Sequence, residues 1–382
     1  MTTFCYSILH FLVDGICAAS MFSLLLNGNG GQWSLLIYNF CAFVLQMPFG
    51  VLLDSRNVNS GKIAEASYGC PGTGGGASGR NSAFLFALAG VILTVAGAFT
   101  SPILLGIGNA LFHVGGGVGT ILEDRACESA GRRLGIFVAP GAMGLYLGRL
   151  AAKNSFGPAA LDGGMLWVIG SAVPAAILLV LLRRVLTVSK ISEEHVSDAQ
   201  NLSLRPCDIL IITGCFLVVV IRSYVGLAVK MPWRTTAAAG LAATAAVVLG
   251  KMAGGLTAAE LGRTRAVLLS LIAAAVCYAF CDRLIPGISA LFLFNMTMPI
   301  TLQLLADRYR NTPGTMFGLL TVGLFLGYLP VFFSAGTPVS GNHTGAVLSL
   351  VSLVVLLAAS MSGGDRPAER ESGPRYKKGV RR

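Results

Sequence analysis

Apolar residues come in blocks along this chain, and short polar stretches separate them. The blocks fall at about 4–26, 32–53, 82–99, 101–121, 135–152, 163–182, 207–229, 236–257, 266–282, 285–305, 315–336 and 344–363. Most approach the roughly 20 apolar residues with which an α-helix crosses a bilayer core. No water is present there to satisfy an open backbone, so the twelve blocks predict twelve helices. Some are parted only by a turn signal as brief as Thr100–Pro102.

Composition supports the pattern. Of 382 residues, 54% are hydrophobic and 12% charged, and mean hydropathy is +0.73. A soluble domain carries about 25% charged residues, twice what this chain has to cover a surface. The first block has no basic residues ahead of it and continues past Cys17 to Leu26, so it reads as a span rather than a cleaved signal. Nine cysteines, without paired CxxC spacing, indicate neither a disulfide framework nor a zinc site.

The net charge of +11 changes the picture once it is located. Basic residues form no stripe with interleaved aromatics, so no nucleic-acid partner is expected. Placing the N-terminus inside, the alternate connections and the tail hold 21 Lys/Arg, and the opposite side holds four: Lys153, Lys230, Arg234 and Arg283. This bias predicts a multi-pass protein of the cytoplasmic membrane with both termini cytoplasmic. The longest polar connection, about 183–206 and containing His195, divides the spans six and six. The expected organisation is a bundle over 1–182, a central loop over 183–206, a second bundle over 207–363 and a basic tail over 364–382. Two repeated bundles are a transporter architecture.

The connection after the second span of each half leaves a glycine-bearing helix end and passes an acid to reach a basic cluster: "GVLLDSRNVNSGK" from Gly50 and "GKMAGGLTAAELGRTR" from Gly250. Here the chain resembles the major facilitator superfamily over essentially its whole length. The family pattern G-x-x-x-D-x-x-G-R-[KR] is matched by Gly50, Asp54 and Arg56. In the second half Gly255, Gly262, Arg263 and Arg265 keep the spacing, Ala259 stands at the acid position and Glu260 follows it. Carboxylates and guanidinium groups at helix ends can latch two bundles in one state and release them in another. The His10-x-x-x-Asp14 of span 1 and "GNALFHVGGG" in span 4 are similar to the fosmidomycin-resistance-type branch of drug exporters, with Val114 where that branch has proline. "GIFVAPGAMG" in span 5 is similar to the superfamily's antiporter motif, through Pro140, Gly141 and Gly144, with Ala139 in place of a glycine. The resemblance implies an all-α membrane fold of two pseudo-symmetric six-helix bundles, with spans 1, 4, 7 and 10 around a central cavity.

The polar census of the blocks agrees with that arrangement. Span 1 carries His10 and Asp14, span 4 His113, span 7 Arg222 and span 10 Asn295, while blocks 3, 6, 9 and 12 carry no ionisable residue in their bodies. A charge at the bilayer centre costs at least about 2.5–3.5 kcal/mol, so such residues face a partner or a wet interior. Asp14 lies near mid-span, one helical turn from His10. A carboxylate buried beside imidazoles can titrate in a useful range. The expected proton-coupling residues are therefore Asp14, His10 and His113. The expected solute-facing residues are Arg222, as anion ligand or Asp14 partner, with Asn295, Asn39, Gln46 and Phe112. Lys251 and Arg149 are expected to snorkel toward the membrane surfaces, and Gly115 to Gly119 to permit close helix contact.

"GCPGTGGGASGRN" (Gly69–Asn81) lacks the Lys and Ser/Thr of a phosphate-binding loop and follows no strand, so it reads as a linker. ATP, cofactors and metals are not expected. The function expected is secondary transport of a small organic solute by a monomer, coupled to protons. The branch resemblance implies efflux by antiport; import of a metabolite by symport is the alternative. A transport-dead sensor and a membrane-embedded enzyme are the other classes, and no nucleophile motif supports the latter.

Overall fold

The structure, a computed structural model, describes residues 1–26, 31–68, 75–156, 161–188, 206–334 and 341–362. The expected basic tail, His195 and all but the ends of the expected central loop lie outside them. The helices are α1 (Thr2–Leu26), α2 (Gln32–Asn39), α3 (Gln46–Tyr68), α4 (Gly75–Thr100), α5 (Pro102–Ala126), α6 (Arg132–Val138), α7 (Gly141–Ala152) and α8 (Gly163–Val188) in the first half. The second half holds α9 (Pro206–Ala228), α10 (Ala237–Leu261), α11 (Arg263–Ala279), α12 (Leu284–Asn295), α13 (Thr297–Arg308), α14 (Pro313–Phe333) and α15 (Gly341–Ser362). A π-helical segment, Phe40–Val44, lies between α2 and α3. Spans 2, 5 and 10 are thus interrupted helices, and the rest are single ones.

Among the described residues, eleven spans are long and apolar enough to cross a membrane by those criteria alone. The twelfth is α11, whose 17 residues pack against α15 and α12. The fold is an all-α membrane protein of two six-helix bundles, as the spacing of apolar blocks predicts. Two departures are local. Gly75 onward belongs to α4 rather than to a linker. The connection after span 5 contains a two-residue antiparallel pairing of β1 (Ser155–Phe156) with β2 (Leu161–Asp162), and Asp162 accepts from the Ser23 hydroxyl at 2.9 Å and so ties it to α1.

Which helices sit outside follows from where the apolar side chains point. On α8, Met165, Leu166, Ile169, Val173, Ile177 and Val180 are exposed at helical spacing, as are Leu269, Ile272 and Val276 on α11 and Val347, Leu350, Val351 and Val354 on α15. Water would make such stripes unfavourable; a lipid solvent makes them neutral, so these faces mark the periphery. By contrast α1 and α5 are mostly buried and carry the polar residues.

The bundles meet at the end that carries the charged loops, and also at the opposite end, where the Tyr146 hydroxyl donates to Ala237 O at 2.6 Å and Trp33 packs on Phe332. Asp54 reaches across to the N-terminus of α14, where its carboxylate accepts from Gly314 N at 2.9 Å, Thr315 N at 2.7 Å and the Thr315 hydroxyl at 2.7 Å. The first N–H groups of a helix have no intrahelical acceptor and favour negative charge. Arg125 complements this by donating to the carbonyls of Ala306 and Arg310, at 2.5 and 2.9 Å, at the C-terminus of α13. Arg132 and Glu260 form an ion pair between bundles. Gly50 abuts Gly314, and Gly255 abuts Gly131 and Gly135, so neither position has space for a side chain. The basic members of the motif do not cross. Arg56 stacks on Phe86 at 5.9 Å within its own bundle, Arg263 pairs with Asp307 of the same half, and Arg265 is exposed. Gly262, at φ +84°, occupies the left-handed region that a side chain disfavours and makes the corner between α10 and α11.

Candidate functional site

The site grows from two helical pairs and a helix break. On α1, His10 and Asp14 share a face because four residues make one turn, and on α5 Asn109 and His113 do the same. Packing α1 against α5 brings the four together. Asp14 Oδ2 lies 3.2 Å from His10 Nε2, and its Oδ1 lies 3.6 Å from His113 Nε2. The Asn109 amide donates to Asp14 Oδ1 at 3.2 Å and to Cys17 Sγ at 3.4 Å. His10 and Asp14 are 5% and 6% exposed.

The break comes from Pro140. It has no N–H to offer the carbonyl of Ile136, and the helical hydrogen-bond ladder is interrupted at Ala139–Pro140, between α6 and α7, although both residues keep right-handed helical dihedrals. Three successive carbonyls then receive side-chain donors: Ile136 O from the Ser7 hydroxyl at 3.3 Å, Phe137 O from His10 Nδ1 at 2.7 Å, and Val138 O from the Lys251 ammonium at 3.2 Å. Lys251 comes from α10 in the other bundle. It does not snorkel, because it sits ten residues inside its helix and finds an acceptor that the break has freed. Gly141 and Gly144 let α7 lie flush on α1: a methyl group on Gly141 would occupy the space of the His10 and Asp14 side chains, and one on Gly144 that of the Phe11 carbonyl.

These contacts fix the histidine tautomers. A carbonyl only accepts, so Nδ1 of His10 carries a hydrogen toward Phe137 O, and Nδ1 of His113 carries one toward Asn109 O at 2.9 Å. In neutral rings both Nε2 atoms would then present lone pairs. They face each other at 2.9 Å, a hydrogen-bond distance that requires one of them to be protonated. The geometry thus leaves room for one hydrogen between the two rings, with the Asp14 carboxylate beside them. The same side chains offer ligand atoms within 4.8 Å of one another, as a metal site would.

The remaining expected residues are placed as follows. Arg222 is buried in α9 and makes no contact with Asp14, but Lys251 lies within electrostatic reach of both. Asn295 ends α12 and donates to Leu291 O of its own helix at 2.8 Å, apart from the cluster. Asn39 neighbours Tyr328 of α14. Gln46 is buried where Gly318 of α14 packs on its backbone, and it donates to Ala42 O. Phe112 is completely buried between the two histidine rings and α4, and in this state it presents no surface to a solute. Arg149 stacks on Phe22 at 4.7 Å. Two residues that the structure joins to this region, Asn109 and Lys251, were not expected there from the sequence. Asn109 stands one turn before His113 in a polar interruption of its block, which is a usable signal; Lys251 had only its depth inside the block.

No family model matches the chain, and no curated protein matches it. Solved structures do. It is similar to the E. coli fucose:proton symporter FucP, crystallised as a single-site variant, with TM-score 0.60 and 15% identity over 94% of this chain and 98% of that one. It is also similar to FucP as a major facilitator transporter in the outward conformation, with TM-score 0.55 and 14% identity over 94% and 99%. A bacterial homologue of the iron transporter ferroportin in an outward-facing state gives TM-score 0.51 and 18% identity over 95% and 98%. The chain has the major facilitator fold.

Proposed function

We propose that this protein is a secondary active transporter that moves a small organic solute by alternating access and couples it to protons at the His10–Asp14–His113 cluster. The observation that carries the reading is the Nε2 to Nε2 contact of 2.9 Å between rings whose Nδ1 atoms both donate to carbonyls. A protonation site at mid-span, enclosed by spans 1, 4 and 5, has little structural use and an evident coupling use. The seal at the charged-loop end supports alternating access, since its contacts are helix-end hydrogen bonds and ion pairs that water can replace when the bundles part. The 21-to-4 charge bias supports assigning that end to the cytoplasm and the protein to the cytoplasmic membrane; we assign it as a monomer. Efflux by antiport is the direction we assign, on the likeness of the span 5 motif; symport is the alternative, and one neighbouring structure is of a fucose:proton symporter.

The test is a panel of organic solutes applied to proteoliposomes loaded with a pH dye. Solute-driven proton movement against the solute's direction supports antiport, and movement with it supports symport. Asp14→Asn removes the counter-charge while keeping shape and the Asn109 contact. It is expected to abolish solute-driven proton movement while the protein stays monodisperse. Coupled flux at the wild-type rate in this variant would sink the assignment. Solute consumption without a gradient would indicate an enzyme, and binding without flux a sensor.

A further inference from the structure

We propose that the transported solute carries an anionic head group, of carboxylate or phosphate type, held between Arg222 and Lys251. The inference rests on the transport reading and names the solute class of the same central site. It starts from an imbalance. Arg222, on α9 in span 7, is 8% exposed, and among the described residues no hydrogen bond or ion pair reaches its guanidinium. Lys251, one span later, has a single bond, to the neutral carbonyl of Val138, which leaves two of its three N–H donors unused. The two cations are near enough to feel each other's charge. A buried cation without a partner is costly, and a second, half-buried cation near it adds to that cost, unless something of opposite charge comes to them.

No acid of the described residues fills that role. Asp14, within electrostatic reach of Lys251, already faces the imidazole pair and Asn109. Asp54 is spent on the N-terminus of α14. Glu123 pairs with Arg133, and Asp124 accepts from the backbone of Gly131 and Arg133. Asp208 pairs with Arg308. The charged groups within electrostatic reach of Lys251 are thus Arg222, the Asp14 carboxylate already held by the imidazole pair and Asn109, and His113. The centre carries net positive charge, and a planar guanidinium fork beside an ammonium is a donor set suited to an oxyanion. A neutral or cationic solute would leave that charge unanswered.

The position of Lys251 also links solute to proton. Its acceptor, Val138 O, is the neighbour of Phe137 O, which fixes the tautomer of His10. An anion that draws the ammonium away releases one carbonyl of the break and changes the electrostatics of the imidazole pair next to it.

Binding can be read without flux. Purified protein in nanodiscs of phosphatidylcholine, a zwitterionic lipid, is unfolded by heat with inorganic phosphate, acetate or succinate. Fucose, tetramethylammonium and sodium chloride at matched ionic strength serve as controls. At least one oxyanion is expected to raise the midpoint by about 3 °C at a concentration ten times its Kd, with the controls inert. Arg222→Gln and Lys251→Gln are each expected to lose this shift. Their ligand-free midpoints should equal or exceed wild type, because an uncompensated buried charge has been removed; a cation engaged in a structural pair would lower the midpoint instead. No oxyanion shift beyond the salt control, a shift that survives in both variants, or a fall in both ligand-free midpoints overturns the proposal. So does a rise that appears only in phosphatidylglycerol nanodiscs, which would make the anion a lipid headgroup. Anion binding without coupled flux would refute the transport reading alone, and coupled flux of neutral solutes without anion binding would refute this one alone.

Discussion

Replacing Asp54 with asparagine isolates the seal between the bundles. The carboxylate takes three donors on two oxygens: Gly314 N on Oδ1, and Thr315 N with the Thr315 hydroxyl on Oδ2. An amide has one oxygen, so it keeps at most the Thr315 pair and turns an NH2 toward the Gly314 N–H, donor against donor. The charge opposite the helix N-terminus is lost as well, worth about 0.3–1 kcal/mol, and a charge-assisted hydrogen bond adds about 1.5–3 kcal/mol. In the parted state water satisfies the same N–H groups, so the whole difference, about 2–4 kcal/mol, falls on the sealed state. That is a change of roughly 30- to 1,000-fold in the sealed-to-open ratio. Gln303 reports it: 5% exposed, its side chain is pressed against Gly131 of the other bundle. A single cysteine at 303, with the other reactive cysteines replaced, is labelled by maleimide only from the open form. Its rate is expected to rise by the computed factor in Asp54→Asn, up to the rate of a free thiol. A rise of less than about threefold would show that the seal rests elsewhere and that the helix-end argument is wrong.

Two other outcomes follow from the same geometry. Gly141→Ala puts a methyl group into space held by His10 and Asp14; overpacking of this kind costs about 1–3 kcal/mol. The thermal midpoint is expected to fall and solute-driven proton movement to be lost, whereas Gly170→Ala, with open space at its Cα, leaves both unchanged. Cys127, exposed in the loop between α5 and α6, is expected to react with a membrane-impermeant maleimide in inverted vesicles and not in intact cells; the reverse pattern would overturn the assigned orientation.

Much of the fold is legible in the sequence because the bilayer imposes a one-dimensional rule: a span is an apolar block, and its length is set by the membrane. The His10–Asp14 pair is legible for a similar reason, since four residues along a helix fix a common face. Where the reading stopped, the information lies between helices. Nothing local to Lys251 says that a carbonyl in span 5 is free to receive it. That acceptor exists because Pro140 sits over a hundred residues earlier and because α6 and α10 happen to cross there. Phe112 misled in the opposite sense. Beside a polar residue, an aromatic ring looks like cavity lining, yet the close fit of α4 on α5 at Gly90 buries it completely. Arg56 and Arg263 match a latch motif by spacing, while their directions depend on neighbours, Phe86 and Asp307, that the motif does not contain.

The interrupted fifth span divides its loyalties unevenly. Of the three carbonyls exposed at Pro140, two are held by α1, which belongs to the same bundle and travels with it, and the third is held by a lysine anchored in the opposite bundle. In the proposed alternating-access cycle the first two tethers would ride along intact and, of the three, the third would be cut. Of these three tethers the one that changes hands is therefore an ammonium, and in the proposed transport cycle what it grips after release decides whether the stroke runs loaded or empty.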